Sequence, residues 1–211
     1  LRFIRIVNAR LGGTRAALKQ FQRWSSTWKR DETIRIIDIG TGSADIPLAI
    51  AQWARQDHWH VHVTAVDLHP ITIALAREHV GDCNDITIIQ ADALKLMDHF
   101  QPGSFHYAHA GMFLHHLNDV QVMTVLRIMD RLATRGLIWN DLIRSAIGKF
   151  GARLLTIGLP HHLKHDVTVS VDAGFTKREA LDLARRAGLA NSRWRNHLLH
   201  RFTVICDKPQ T

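Results

Sequence analysis

The chain of 211 residues lacks the marks of several protein classes. It has two cysteines, Cys83 and Cys206, too few for a disulfide-stapled scaffold, and nothing in the sequence supports a bridge between them. Neither has the neighbours of an activated thiolate, which argues against cysteine-nucleophile chemistry. No apolar run reaches the length that spans a bilayer, and no secretory leader is visible, so a cytoplasmic protein is expected. Internal repeats and low-complexity tracts are absent. Histidine is plentiful, at 15 residues, but without a metal framework. His58, His60 and His62 fall at period two, and His161, His162 and His165 cluster later. Neither group has the cysteines or carboxylates of a zinc motif, so no metal is expected.

Acid is missing from one stretch altogether. Lysine and arginine exceed aspartate and glutamate by 27 − 19 = 8. Residues 1–30 contain Arg2, Arg5, Arg10, Arg15, Lys19, Arg23, Lys29 and Arg30, so they hold the whole excess and residues 31–211 balance to zero. Gly12 and Gly13 divide this segment into two helices. In the second, opened by Thr14, Ala17, Phe21, Trp24 and Trp28 share one face. It therefore reads as a basic helical cap on a domain of residues 31–211. Two roles stay open: a helix packed on the domain with a solvated basic face, or a mobile lid that also touches a membrane surface or an acidic carrier. The neutral remainder argues against a long groove for nucleic acid.

Residues Ile34 to Asp45 (I-R-I-I-D-I-G-T-G-S-A-D) are the most informative. An apolar run reads as a buried strand, Gly40 and Gly42 break it, and the chain from Ala44 onward reads as a helix. Strand, glycine turn and helix form a nucleotide cradle, because glycine lets backbone approach a ligand closely. A dinucleotide fingerprint needs a third glycine, where this chain has Asp45, and that carboxylate would repel a pyrophosphate. Asp38 adds a second negative group, which suits a ligand carrying positive charge. The motif Asp38-Ile39-Gly40-Thr41-Gly42-Ser43-Ala44 resembles the first motif of class I S-adenosylmethionine-dependent methyltransferases, with Ala44 in place of the last glycine.

Two later acids fit the same ligand. His60 to Asp67 reads as the second strand, and Asp67 lies 25 residues after Gly42, near the distance at which an acid meets ribose hydroxyls. Ile86 to Asp92 reads as a third strand ending in an acid. The resemblance implies that Asp92 receives the adenine amino group. Asp38, Gly40, Thr41, Gly42, Asp67, Leu68, Asp92, Ala93 and Ala110 are thus the expected cofactor residues, and S-adenosyl-L-methionine, leaving as S-adenosyl-L-homocysteine, the expected cofactor.

The rest of the chain continues the alternation. A helix is expected near Ile71–His79, a strand near Phe105–Ala110, a helix near Val120–Ala133 and a strand near Gly136–Asn140. A long helix near Ile143–Gly158 follows. Thr176 to Glu179 forms a capping box for a helix stopped by Gly188, and strands near Trp194–Leu199 and Phe202–Cys206 close the chain. The fold expected is α/β: a Rossmann-like three-layer sandwich around a mostly parallel seven-stranded sheet with an antiparallel C-terminal hairpin.

The acceptor end is marked by Gly111-Met112-Phe113-Leu114-His115-His116-Leu117. This loop follows the fourth strand and so borders the ligand crevice. The sequence F-L-H-H-L resembles the small-molecule branch that includes ubiquinone- and menaquinone-biosynthesis methyltransferases, although His106 stands where that branch has an aspartate. Asn140 to Ser145, with Asp166 and Ser170, resembles methyltransferases found with phenolic-lipid polyketide synthases. His116 and then His115 are the candidate bases, and Met112, Asn140 and Arg144 the candidate acceptor contacts. A local ion pair between Asp141 and Arg144 is the alternative use of that segment. The expected activity is methyl transfer to a hydroxyl or activated carbon of an aromatic or lipid-like acceptor of phenol or quinol type. Methylation of RNA, or nucleotide binding without catalysis, are the alternatives.

Overall fold

The computed structural model describes residues 13–144, 173–197 and 200–209. Seven strands form one sheet: β1 (Thr33–Ile39), β2 (His60–Asp67), β3 (Ile86–Gln90), β4 (Phe105–Gly111), β5 (Ala133–Leu142), β6 (Arg193–His197) and β7 (Arg201–Asp207). Their order is β3-β2-β1-β4-β5-β7-β6. The first five are parallel, while β7 pairs antiparallel with both β5 and β6. The expected architecture is the observed one. Because the order reverses between β1 and β4, a crevice opens at their carboxyl ends.

Helices α1 (Gly13–Trp24), α2 (Asp45–Gln56) and α3 (Pro70–Val80) cover one face of the sheet. On that face Phe21, Trp24, Ile34, Ile36, Ile50, Trp53, Ala76 and Tyr107 form one core cluster. Helices α4 (Asp119–Leu132) and α5 (Lys177–Arg186) cover the other, where Ile37, Ile39, Leu126, Met129, Trp139, Leu183 and Phe202 pack together. The capping box at Thr176 and Glu179 opens α5 as expected, and a second one joins Asn118 to Gln121 at the start of α4.

Helix α1 is part of this core. Ala17 and Phe21 are fully buried, and the Trp24 ring stacks on Tyr107 at 4.3 Å. Burying a ring of that size stabilises the fold by about 2–3 kcal/mol. The helix ends earlier than expected. Ser25, Ser26 and Thr27 hydroxyls donate to carbonyls three residues back and tighten the chain into a 3₁₀ turn. Trp28 is therefore extended rather than helical, yet still buried, with its indole N–H donating to Tyr107 Oη at 3.0 Å. Arg15, Lys19 and Arg23 lie exposed on the opposite side of the helix.

A second difference lies after β5. Ile143 bridges to Phe175 in extended conformation, so no helix starts there. The rest of the expected long helix, with Asp166, Ser170 and the histidines at 161, 162 and 165, lies outside the described residues, as do residues 1–12 of the basic segment. Cys83 and Cys206 are both free. Among the described residues no helix is long and apolar enough to cross a membrane.

Candidate active site

The glycine turn uses left-handed backbone at three alternate positions: Gly40 (φ 69°), Gly42 (φ 58°) and Ala44 (φ 59°). The last reproduces the glycine conformation with a Cβ present, at a cost of about 1–2 kcal/mol. The turn is tied to β2. Thr41 N–H donates to the Val66 carbonyl at 2.9 Å, and Gly42 N–H donates to Asp67 Oδ2 at 3.0 Å. Asp67 also accepts the His69 N–H at 3.0 Å. Its remaining lone pairs suit hydroxyl donors. Leu68 beside it is exposed, and Asp92 caps the following 3₁₀ turn by accepting from Leu94 N–H, with Ala93 buried behind it. Gly40, Gly42, Asp67 and Asp92 thus gather at the carboxyl ends of β1, β2 and β3. Ala110 stands apart. Its methyl faces the α4 side of the sheet within the core, which leaves only its backbone for a ligand in the crevice.

Asp38 is almost fully buried and already holds two donors, Thr41 Oγ1 at 2.6 Å and a ring nitrogen of His109 at 2.5 Å. The Phe113 ring lies directly over Gly40, where a Cβ would overlap it.

The loop after β4 divides the two histidines between different roles. His115 is buried, and its Nδ1 lies 2.6 Å from Asp141 Oδ1. A carboxylate offers only lone pairs, so Nδ1 carries the hydrogen of this bond. Asp141 further accepts from the backbone N–H groups of His115 and Leu142 and from Trp139 Nε1. His116 is exposed, with its ring 4.0 Å from that of His115. Partial desolvation, and then the neighbouring His115, lower its pKa below the ordinary 6.5. His116 is therefore neutral at pH 7 and able to take a proton.

The expected acceptor residues are placed differently. Met112 is left-handed (φ 54°) and pinned by its N–H to the Asn140 carbonyl. The Asn140 side chain does not enter the crevice openly: it is buried and donates to the Gly13 carbonyl at the start of α1. Arg144 is exposed and paired with Glu179, so the local pair with Asp141 does not form. Asp141 faces His115 instead because alternation along β5 puts it beside Trp139, opposite to Asn140. Beside the histidine loop a cavity of about 200 Å³ is lined by Leu117, Arg144, Phe175 and Leu183, among others. A larger one, about 280 Å³, lies at the opposite end of the sheet between Trp24, Tyr107 and Arg135, away from the glycine turn.

Three functional candidates escaped sequence reasoning: Asp141, His109 and Phe113. Period two along β4 from Tyr107 to Gly111 was the available signal for His109; its partner depended on the strand order.

Comparison with known proteins agrees with this geometry. A family model described as a methyltransferase domain matches residues 36–136. The ubiquinone biosynthesis O-methyltransferase of Xanthomonas campestris pv. campestris is 27% identical over 171 residues, covering 77% of this chain and 68% of the relative. Among solved structures, the carbon-methyltransferase domain of a citrinin polyketide synthase superposes with a TM-score of 0.71 at 13% identity, covering 93% of this chain and 52% of its own. An S-adenosylmethionine-dependent methyltransferase from Aquifex aeolicus gives 0.65 at 14%, covering 95% and 92%. PigF, solved with S-adenosylhomocysteine, gives 0.58 at 23%, covering 82% and 50%. This chain spans about half the length of the citrinin and PigF chains.

Proposed function

Given that the chain is a class I S-adenosylmethionine-dependent methyltransferase, we propose that it methylates a hydroxyl or activated carbon of a small aromatic or lipid-like acceptor of phenol or quinol type. The observation that carries this reading is the Asp141–His115–His116 series at the carboxyl end of β4, beside the glycine turn. A distant relative named for ubiquinone biosynthesis supports the acceptor class.

The residues present suit the cofactor. Asp67 would take ribose hydroxyls, Asp92 the adenine amino group, and the glycine turn the close backbone approach. When bound, S-adenosylmethionine supplies a methyl group on a sulfonium. Asp141 fixes the orientation of His115, whose ring lies 4.0 Å from that of His116 and so helps to position it. A ring nitrogen of His116 would take the phenolic proton, leaving the oxygen as the nucleophile toward that methyl group, with S-adenosylhomocysteine as the leaving group. Such a base contributes about 10²–10⁴-fold, and the rest comes from positioning and water exclusion.

The test is production of S-adenosylhomocysteine across a panel of phenols, for the wild type and for His116→Ala and His115→Ala. Turnover of a phenol that falls at least tenfold in the variants, with cofactor affinity retained, fits the proposal. Wild-type turnover confined to RNA, or none with any acceptor, would refute it.

A further inference from the structure

Asp38 and His109 are register partners on adjacent strands, so both side chains point to the α2 face at the switch between β1 and β4. His109 is completely buried. Its Nδ1 bonds to Asp38 Oδ1 and must carry the hydrogen, since the carboxylate can only accept. The other edge of the ring is turned along β4 toward its carboxyl end. There a Cβ added to Gly111 would lie 2.6 Å from His109 Cε1 and 3.2 Å from Nε2, with Ile46 Cδ1 at 3.2 Å. Glycine at 111 is what makes room for this ring. Nε2 has no hydrogen-bond partner among the described residues. Buried polar atoms are ordinarily hydrogen-bonded, so this one points to a ligand that satisfies it.

The chemistry of that ligand follows from the tautomer. Nε2 presents a lone pair backed by a buried carboxylate through Nδ1, so it seeks a donor and favours a cationic one. Its place, two residues before Gly111 and under the start of α2, is at the end of the crevice away from Asp67 and Asp92. The cofactor offers one cationic donor group at the end opposite to its adenosine. We propose that His109 binds the α-ammonium of S-adenosylmethionine through Nε2, with Asp38 acting on the cofactor through the imidazole rather than directly. This rests on the assignment of the cofactor to the glycine cradle.

The experiment is calorimetric titration of His109→Asn with four probes: S-adenosylmethionine, S-adenosylhomocysteine, decarboxylated S-adenosylmethionine and 5′-methylthioadenosine. Asparagine keeps a donor for Asp38 and removes the atom at the Nε2 position. The three probes with an ammonium should bind about ten- to a hundredfold more weakly, while 5′-methylthioadenosine, which lacks the amino-acid portion, should bind as to the wild type. An equal loss for 5′-methylthioadenosine, or unchanged binding of all four, would overturn the proposal. So would a loss for S-adenosylmethionine that spares its decarboxylated form, which would assign Nε2 to the carboxylate. His109→Gln, which restores a polar atom at the Nε2 position, should recover part of the difference and serves also if the asparagine variant fails to fold. Wild-type protein that binds none of the probes would instead sink the cofactor assignment.

Discussion

His115 Nδ1 and Asp141 Oδ1 meet at 2.6 Å inside the protein, joining the loop after β4 to the end of β5. Both side chains are nearly inaccessible, and Asp141 has four donors around it. Replacing it by alanine leaves those donors unpaired. Asp141→Ala should therefore lower stability by about 3–5 kcal/mol, read as the urea midpoint. A loss below about 1 kcal/mol would mean that water replaces the carboxylate readily.

The pH response should follow His116. Its pKa is lowered from 6.5, so the neutral, proton-accepting form persists below the ordinary histidine range. Turnover of a phenol should rise through a midpoint below pH 6.5 and be flat above about pH 7.5. His116→Ala should remove the rise. An unchanged profile in that variant would assign the proton to another group.

Asp67 has two tasks, holding the Gly42 and His69 N–H groups and accepting ribose hydroxyls. Asp67→Ala should weaken S-adenosylmethionine binding by about 2–4 kcal/mol in calorimetric titration. Unchanged affinity would refute its place in the cradle.

The two glycines should differ in tolerance. Both are left-handed, but a Cβ at Gly42 meets nothing within 4 Å, whereas one at Gly40 overlaps Phe113. Gly42→Ala should cost about 1 kcal/mol from the backbone alone, and Gly40→Ala about 2–3 kcal/mol. Adding Phe113→Ala to Gly40→Ala should show positive coupling in a double-mutant cycle.

A stability effect should come from His106. Burial, and then Arg135 and Arg35, depress its pKa from 6.5 to about 4. Its Nδ1 accepts the Arg35 N–H at 2.9 Å, which requires the neutral ring on that side. Below pH 6.5 the unfolded chain takes up this proton first. Stability should thus be full above that pH and fall by about 1–3 kcal/mol as pH drops toward about 4. His106→Asn should flatten that part of the curve in urea titrations.

What the sequence determined by itself is local. The β1–turn–α2 cradle follows from an apolar run, two glycines and a helix start, because backbone sterics act over a few residues. The acids ending β1 and β2 and the one just after β3 were legible for the same reason, as were the capping box at Thr176 and the face of α1 that carries Phe21. Where local rules ran out, so did the reading. Ser25 to Thr27 ended α1 before Trp28 by side-chain bonds that compete with the helix.

The tertiary structure decided which of these side chains meet. Asp38 joins His109 across 71 positions, Asp141 joins His115 across 26, and Asn140 reaches Gly13 across 127. Each pairing depends on the order β2-β1-β4-β5 and on register. That order is set by how the apolar faces of the strands and helices bury one another, a long-range balance that no window of sequence contains. The sequence could nominate His115 and His116, but only the packed sheet assigns the Asp141 carboxylate to His115 and leaves His116 facing out.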